Sequence, residues 1–159
     1  MKPQAVIFDI GNVLCGWQPE RFYDTIMPQA MRRKMFAEVD LHGMNELIDK
    51  GALFRETVYD WADRHPDWSG YVRMWFDNWF DLASPYIDRS IRLQRALRAK
   101  GVPVFALTNF GSHSFAHAET RFAFLRDFDR RYISGHMGVT KPDPAIYAMV
   151  EADCGIAPG

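Results

Sequence analysis

The stretch Ala5-Val6-Ile7-Phe8-Asp9-Ile10-Gly11-Asn12-Val13-Leu14 decides the fold. Ala5 to Phe8 is a continuous β-prone run, the pattern of a strand buried on both faces, and it ends at Asp9 just before the tight-loop residue Gly11. A carboxylate is thereby set at a strand's carboxyl end. Downstream, Val102-Pro103-Val104-Phe105-Ala106-Leu107 repeats the pattern, with Pro103 near its start. It follows a helical stretch from Asp88 to Lys100 that is stopped by Gly101, and it ends at Thr108-Asn109. A weaker third run, Tyr132-Ile133-Ser134, stands before Gly135, and Lys141-Pro142 leads into a helix over Asp143 to Glu151. Strands alternating with helices specify an α/β fold with a parallel sheet, Rossmann-like in its winding.

Between Gly16 and Ser84 the period changes from strand to helix, which predicts an inserted helical subdomain. Its helices are expected over Glu20 to Met27, Gln29 to Asp40, Phe54 to Arg64 and Ser69 to Leu82, separated by Pro28, Gly43, Gly51 and the His65-Pro66 break. Tyr71, Trp75 and Trp79 recur every four residues and so share one helix face, which reads as a core stripe before it reads as a ligand wall. The domain division is therefore 1–15 with 85–159 for a discontinuous core, and 16–84 for the insert. No internal repeat and no low-complexity tract is present.

The 159 residues suffice for one compact core with such an insert but are short for two independent domains. Lys plus Arg number 19 against 20 for Asp plus Glu, so no net field draws the chain to nucleic acid or to an anionic membrane, and small polar ligands fit better. Two cysteines, Cys15 and Cys154, are too few for a disulfide framework and form no C-x-x-C pair, which suits a reducing cytoplasm. Met1-Lys2-Pro3-Gln4 runs straight into the first apolar run, far below the roughly 18 residues that cross a bilayer, and shows no targeting segment.

Loops at the carboxyl ends of parallel strands converge on one crevice, so Asp9, Thr108 and Lys141 are expected to face it together. A carboxylate that attacks, a hydroxyl with adjacent amides that holds oxygens, and an ammonium that offsets developing charge are what transfer of an anionic group needs. Taken singly, each residue has a plainer reading: Asp9 as a turn or cap residue, Thr108-Asn109 as a helix cap, Lys141 as a solvated loop lysine. Their order makes the difference. Val6-Ile7-Phe8-Asp9-Ile10-Gly11-Asn12-Val13-Leu14, then Leu107-Thr108-Asn109, then Val139-Thr140-Lys141-Pro142-Asp143-Pro144-Ala145-Ile146-Tyr147 resembles the haloacid dehalogenase superfamily, in the branch with a helical cap after the first motif. The resemblance implies a hydrolase in which Asp9 forms a covalent intermediate, Thr108 and Asn109 bind the transferred group, Lys141 orients Asp9 and the substrate anion, and Asp9 with the Gly11 carbonyl ligates Mg²⁺.

Two departures qualify what the resemblance implies. Phosphatases of the superfamily commonly carry a second aspartate two residues after the nucleophile, as general acid; here that position is Gly11. Such an acid contributes about 10²–10⁴-fold, most for poor leaving groups. The D-x-G-N form, Asp9-Ile10-Gly11-Asn12, resembles a subgroup acting on small sugar phosphates, whereas the dehalogenase branch usually has an aromatic, Gly and Thr where this chain has Gly11, Asn12 and Val13. The second departure is at Gly155-Ile156-Ala157-Pro158-Gly159, where the family continues into a strand ending in paired acids. The expectation is a core short of its last strands, a weak Mg²⁺ site, and an open edge at the strand bearing Asp9, which a second copy could cover as a homodimer.

Other residues have plainer roles beside their functional ones. His113 and His117 have the i, i+4 spacing of a metal pair but no evident third ligand. Asp127 and Asp129 are expected to point to solvent, and Cys15 to be a small core residue near the pocket mouth. Trp17, Arg21 and Arg55 are candidates for contact with substrate. The function expected is hydrolysis of a small phosphomonoester through an aspartyl-phosphate; dehalogenation of a 2-haloacid and a catalytically silent domain are the alternatives.

Overall fold

The computed structural model describes residues 3–156; Met1 and Lys2, and Ala157 to Gly159 of the expected chain-end departure, lie outside them. Three parallel strands, β1 (Val6–Phe8), β2 (Val104–Thr108) and β3 (Arg130–Ile133), lie in the order β1-β2-β3. Ile7 pairs with Phe105 and Leu107 with Tyr132, so Asp9, the residue after β1, and Thr108, the last of β2, reach the same end of the sheet. That register is the first fact about the site.

Side chains alternate across the sheet. Val104 and Ala106 belong to the larger core, with Phe8, Leu125 and Ile133, while Phe105 and Leu107 point to a second cluster with Tyr132, Ile146 and Val150. Ile146 and Val150 come from α10 (Pro144–Cys154), whose start is capped by Asp143 accepting a hydrogen bond from the Ala145 N–H. The expectation that the first strand is buried on both faces is corrected here. Ile7 is 48% exposed, because the cluster beneath α10 is built from β2 and β3 and leaves the outer face of β1 uncovered among the described residues.

Between β1 and β2 the chain is helical: α1 (Pro19–Ile26), α2 (Gln29–Val39), α3 (Leu41–Asp49), α4 (Phe54–Arg64), α5 (Ser69–Asp77), α6 (Trp79–Leu82) and α7 (Asp88–Ala99). Helix α3 replaces the break expected at Gly43. Asp40 adopts φ 50° and its carboxylate accepts from the Gly43 N–H at 3.0 Å, and a Cβ at Gly43 would lie 2.2 Å from that carboxylate. Glycine is therefore there to admit the cap, not to end a helix. The single helix expected over Ser69 to Leu82 is two, α5 and α6, parted at Asn78. After β2 come α8 (Ser112–Glu119) and α9 (Ser134–Met137). Asp127 and Asp129 do not simply face solvent: Asp127 pairs with Arg95 at 2.8 Å and Asp129 with Arg98 at 3.1 Å, and Asp129 also accepts from the Val104 N–H at 2.8 Å, tying α7 to the start of β2.

The two chain segments that join helices α1–α6 to the sheet run side by side. The Gly16 N–H donates to the Pro85 carbonyl at 2.8 Å, the Ile87 N–H to the Leu14 carbonyl at 2.9 Å, and the Arg21 guanidinium to the Ser84 carbonyl at 2.8 Å. A Cβ at Gly16 would sit 2.4 Å from the Ser84 oxygen, whereas one at Gly70, inside α5, would meet nothing within 4 Å. Gly16→Ala is expected to cost about 1–3 kcal/mol in urea unfolding, as overpacking does, and Gly70→Ala to add about 0.5–1 kcal/mol through helix propensity. Equal effects at the two positions would contradict this packing.

Candidate active site

Asp9 follows β1 and is held through both carboxylate oxygens. Oδ1 accepts from the Ile10 N–H at 2.8 Å, and Oδ2 lies 2.8 Å from Lys141 Nζ. The ammonium also donates to the Leu107 carbonyl at 3.1 Å, which aims it back along the end of β2. Lys141 is held in turn by Asn109, whose Oδ1 accepts from the Lys141 N–H at 2.7 Å and whose Nδ2 donates to the Lys141 carbonyl at 2.9 Å. Asn109 thus grips the backbone of the loop that presents the ammonium. Thr108, 1% exposed, ends β2 directly before Asn109.

Asn12 repeats that two-point grip on the other side. It adopts φ 58°, a left-handed conformation that asparagine tolerates better than most residues. Its Oδ1 accepts from the Trp17 N–H at 2.9 Å, and its Nδ2 donates to the Trp17 carbonyl at 3.2 Å. Gly11 lies under this loop, where a Cβ would touch the Trp17 side chain at 3.4 Å. Trp17 is packed on by Trp75 and Trp79 at 5.7 and 6.1 Å between ring centroids.

These groups line one cavity of about 220 Å³, a size suited to a small molecule. Asp9, Gly11, Thr108, Asn109 and Lys141, all anticipated from the sequence, lie on its wall together with Trp17. Arg21 and Arg55 do not: Arg21 is engaged with Ser84, and Arg55 stacks on Tyr59 at 4.1 Å. His117 packs among Phe54, Phe76, Trp79 and Phe80, and burial holds its pKa below the ordinary imidazole value. No cluster of three or more His, Cys, Asp or Glu able to hold a metal ion exists among the described residues. Trp75 is fully buried, as its stripe implied, but Trp79 both packs in the core and lines the cavity.

Asn45 and Asp49 of α3 also line the cavity, and the sequence reading misses both. Asn45 Nδ2 donates to Asp49 Oδ2 at 2.9 Å, and Asn45 Oδ1 accepts from Trp75 Nε1 at 3.2 Å. Burial pushes the Asp49 carboxyl up to about 7, against a smaller stabilisation from the Gly111 N–H and with a further upward push from Glu46. Their i, i+4 spacing is the signal that marks them, and a break at Gly43 hides it.

The end of α3 is fastened to the sheet side of the cavity. Ser134 Oγ donates to the Asp49 carbonyl at 2.6 Å and accepts from the Phe110 N–H at 2.8 Å. Gly111 lies so near that a Cβ would fall 2.6 Å from the Ile48 carbonyl oxygen. Cys15, 2% exposed, also lines the cavity, and burial together with the charge of Asp9 raises its thiol to about 12. At pH 8 the folded protein is expected to be alkylated by iodoacetamide at Cys154 alone, with Cys15 reacting only after unfolding; mass spectrometry of tryptic peptides reads this, and native labelling of Cys15 would contradict it.

No family model and no curated protein matches the sequence. Solved structures do match. A HAD family enzyme of Bacteroides thetaiotaomicron superposes with TM-score 0.70 at 23% identity, over 97% of this chain and 79% of that one. The same enzyme in complex with magnesium and inorganic phosphate gives TM-score 0.67 at 22% identity, over 96% and 79%. The L-2-haloacid dehalogenase of Xanthobacter autotrophicus gives 0.61 at 18% identity, over 99% and 67%. With its parallel sheet, its helical insert after the first strand and these superpositions, the chain has the fold of the haloacid dehalogenase (HAD) superfamily.

Proposed function

We propose that the protein hydrolyses a small phosphomonoester in two steps, attack by Asp9 to give an aspartyl-phosphate and release of phosphate by water, with residues 16–84 serving as the cap over the site. The observation that carries this reading is the 2.8 Å pair between Lys141 Nζ and Asp9 Oδ2 at the wall of a small cavity. A nucleophilic carboxylate must be charged and aimed, and the incoming group is itself an anion. Lys141 meets both needs, holding Asp9 in one orientation and offsetting negative charge as it builds on the transferred group. Thr108 offers its hydroxyl and the adjoining amides to that group's oxygens, and Asn109 fixes the loop of Lys141 so that the ammonium does not swing away.

The donor set bears on Mg²⁺. Asp9 and the Gly11 carbonyl are hard oxygen donors, the kind Mg²⁺ takes, but they supply only two of about six positions in an octahedral shell. They suit an ion that keeps most of its water, bound weakly, and when bound it neutralises charge on the phosphoryl oxygens. The Bacteroides enzyme's complex with magnesium and phosphate supports this choice. Dehalogenation of a 2-haloacid is the second reading, favoured by the Xanthobacter neighbour. Two free cysteines and a near-neutral charge balance accord with a cytoplasmic enzyme acting on a soluble ester rather than on nucleic acid or a membrane.

Thermal melting with Mg²⁺ and beryllium fluoride tests the phosphoryl reading. Wild type is expected to gain stability, and Asp9→Asn to lose that gain; no gain in wild type supports the silent alternative. Lys141→Ala is expected to lower phosphate release about 10²–10³-fold, as loss of a charge-stabilising donor does. Chloride release from 2-chloropropionate in the presence of a chelator, without phosphate release from any ester, would instead establish the dehalogenase.

A further inference from the structure

We propose that Asp49 is the general acid of this site, a carboxyl group brought by α3 to protonate the leaving oxygen, the task for which Gly11 has no side chain. The inference rests on the phosphoryl-transfer reading and adds to it the source of the proton. Asp49 lines the same cavity as Asp9, Thr108 and Lys141. Its carboxyl is held by a directed chain in which Trp75 Nε1 donates to Asn45 and Asn45 Nδ2 donates to Asp49 Oδ2. Its backbone is fastened through Ser134 to the loop after β2, so helix and sheet present the two carboxyl groups of Asp9 and Asp49 in a fixed relation.

The two carboxyls occupy opposite electrostatic settings, which is how one cavity divides nucleophile from acid. Asp9 has an ammonium at 2.8 Å. Asp49 is paired with no cation among the described residues; the charge acting on it is Glu46, one turn back on the same helix and itself bound to Lys50 at 2.6 Å. The Gly111 amide before α8 faces its carboxyl, the Ser134 hydroxyl of α9 binds its backbone carbonyl, and across the cavity lie Lys141, Asp9 and the neutral Cys15. Desolvation dominates, and a group poised near 7 is half protonated at neutral pH, where an acid catalyst works well.

Asp9 forms a bond to phosphorus while the bond from phosphorus to the ester oxygen breaks, and that oxygen takes the proton of Asp49 to leave as an alcohol. Asp49, now a carboxylate, accepts a proton from the water that attacks the aspartyl-phosphate, which restores both carboxyls and frees inorganic phosphate. The same group serves as acid and then as base.

Asp49→Asn, nearly isosteric, is to be compared with wild type on p-nitrophenyl phosphate, whose leaving group needs no proton, and on simple alkyl phosphates, whose leaving group does. The expected result is a fall of about 10²–10⁴-fold in kcat/KM on the alkyl esters with little change in kcat/KM on the nitrophenyl ester, because kcat/KM reports the step in which the ester bond breaks and not the later attack of water. The descending limb of kcat/KM with pH, set in wild type by loss of the Asp49 proton near pH 7, should vanish with it. Equal losses on both ester types, or none on either, would overturn the proposal. Should the variant fail to fold, wild type alone decides: a shallow dependence of rate on leaving-group basicity supports an acid in the site, and a steep one refutes it. Wild type that releases phosphate from no ester refutes the phosphoryl reading itself, and this proposal with it.

Discussion

The ion pair of Asp9 and Lys141 is the interaction on which the site depends, and its value is geometric. The two side chains are 43% and 21% exposed, a setting in which an ion pair adds little to stability, on the order of 1 kcal/mol or less. What it does is fix the carboxylate in a single orientation at the end of a strand. The ammonium reaches Asp9 only because its own loop is gripped at the Lys141 N–H and carbonyl by Asn109, and Asn109 is placed by β2, which pairs with β1. The sheet register, the asparagine grip and the ion pair form one mechanical series from backbone to the Asp9 carboxylate.

Much of this was legible in the chain because the relevant signals are short and local. Apolar runs that end at Asp9 and at Thr108 mark strands whose tips must meet, and the Gly101 stop and the Asp143 cap bracket the helices around them. What was hidden depends on contacts between distant segments. Gly43 reads as a breaker until the carboxylate of Asp40 is seen occupying the space a side chain would need. Ile7 reads as buried on both sides until the reach of α10 is known. Asp49 carries only its spacing from Asn45 as a signal, since the segments that enclose and hold it are distant: Gly111 and Ser134 lie 62 and 85 residues away, and Trp75, 26 residues away, reaches it through Asn45.

The helical insert is attached to the sheet in two ways that differ in kind. At residues 14–16 and 85–87 paired backbone segments join it covalently, with Gly16 admitting the Ser84 carbonyl. At the end of α3 the attachment is noncovalent, through the Ser134 hydroxyl and the close approach of Gly111 to Ile48. Because α3 carries Asn45 and Asp49, the second attachment decides whether those residues share a pocket with Asp9 or stand apart from it. A small-to-large change at Gly111 therefore acts at a distance on the chemistry, by lifting one wall.

The grip of Asn12 on Trp17 has a consequence of another sort. It ties the backbone of Trp17 by two hydrogen bonds to the loop that follows Asp9, while the indole of that residue rests on two further indoles, Trp75 and Trp79. Any shift of that loop as a guest enters must alter the surroundings of a fluorophore already packed against its neighbours. The chain carries its own optical gauge of occupancy, with no dye to attach.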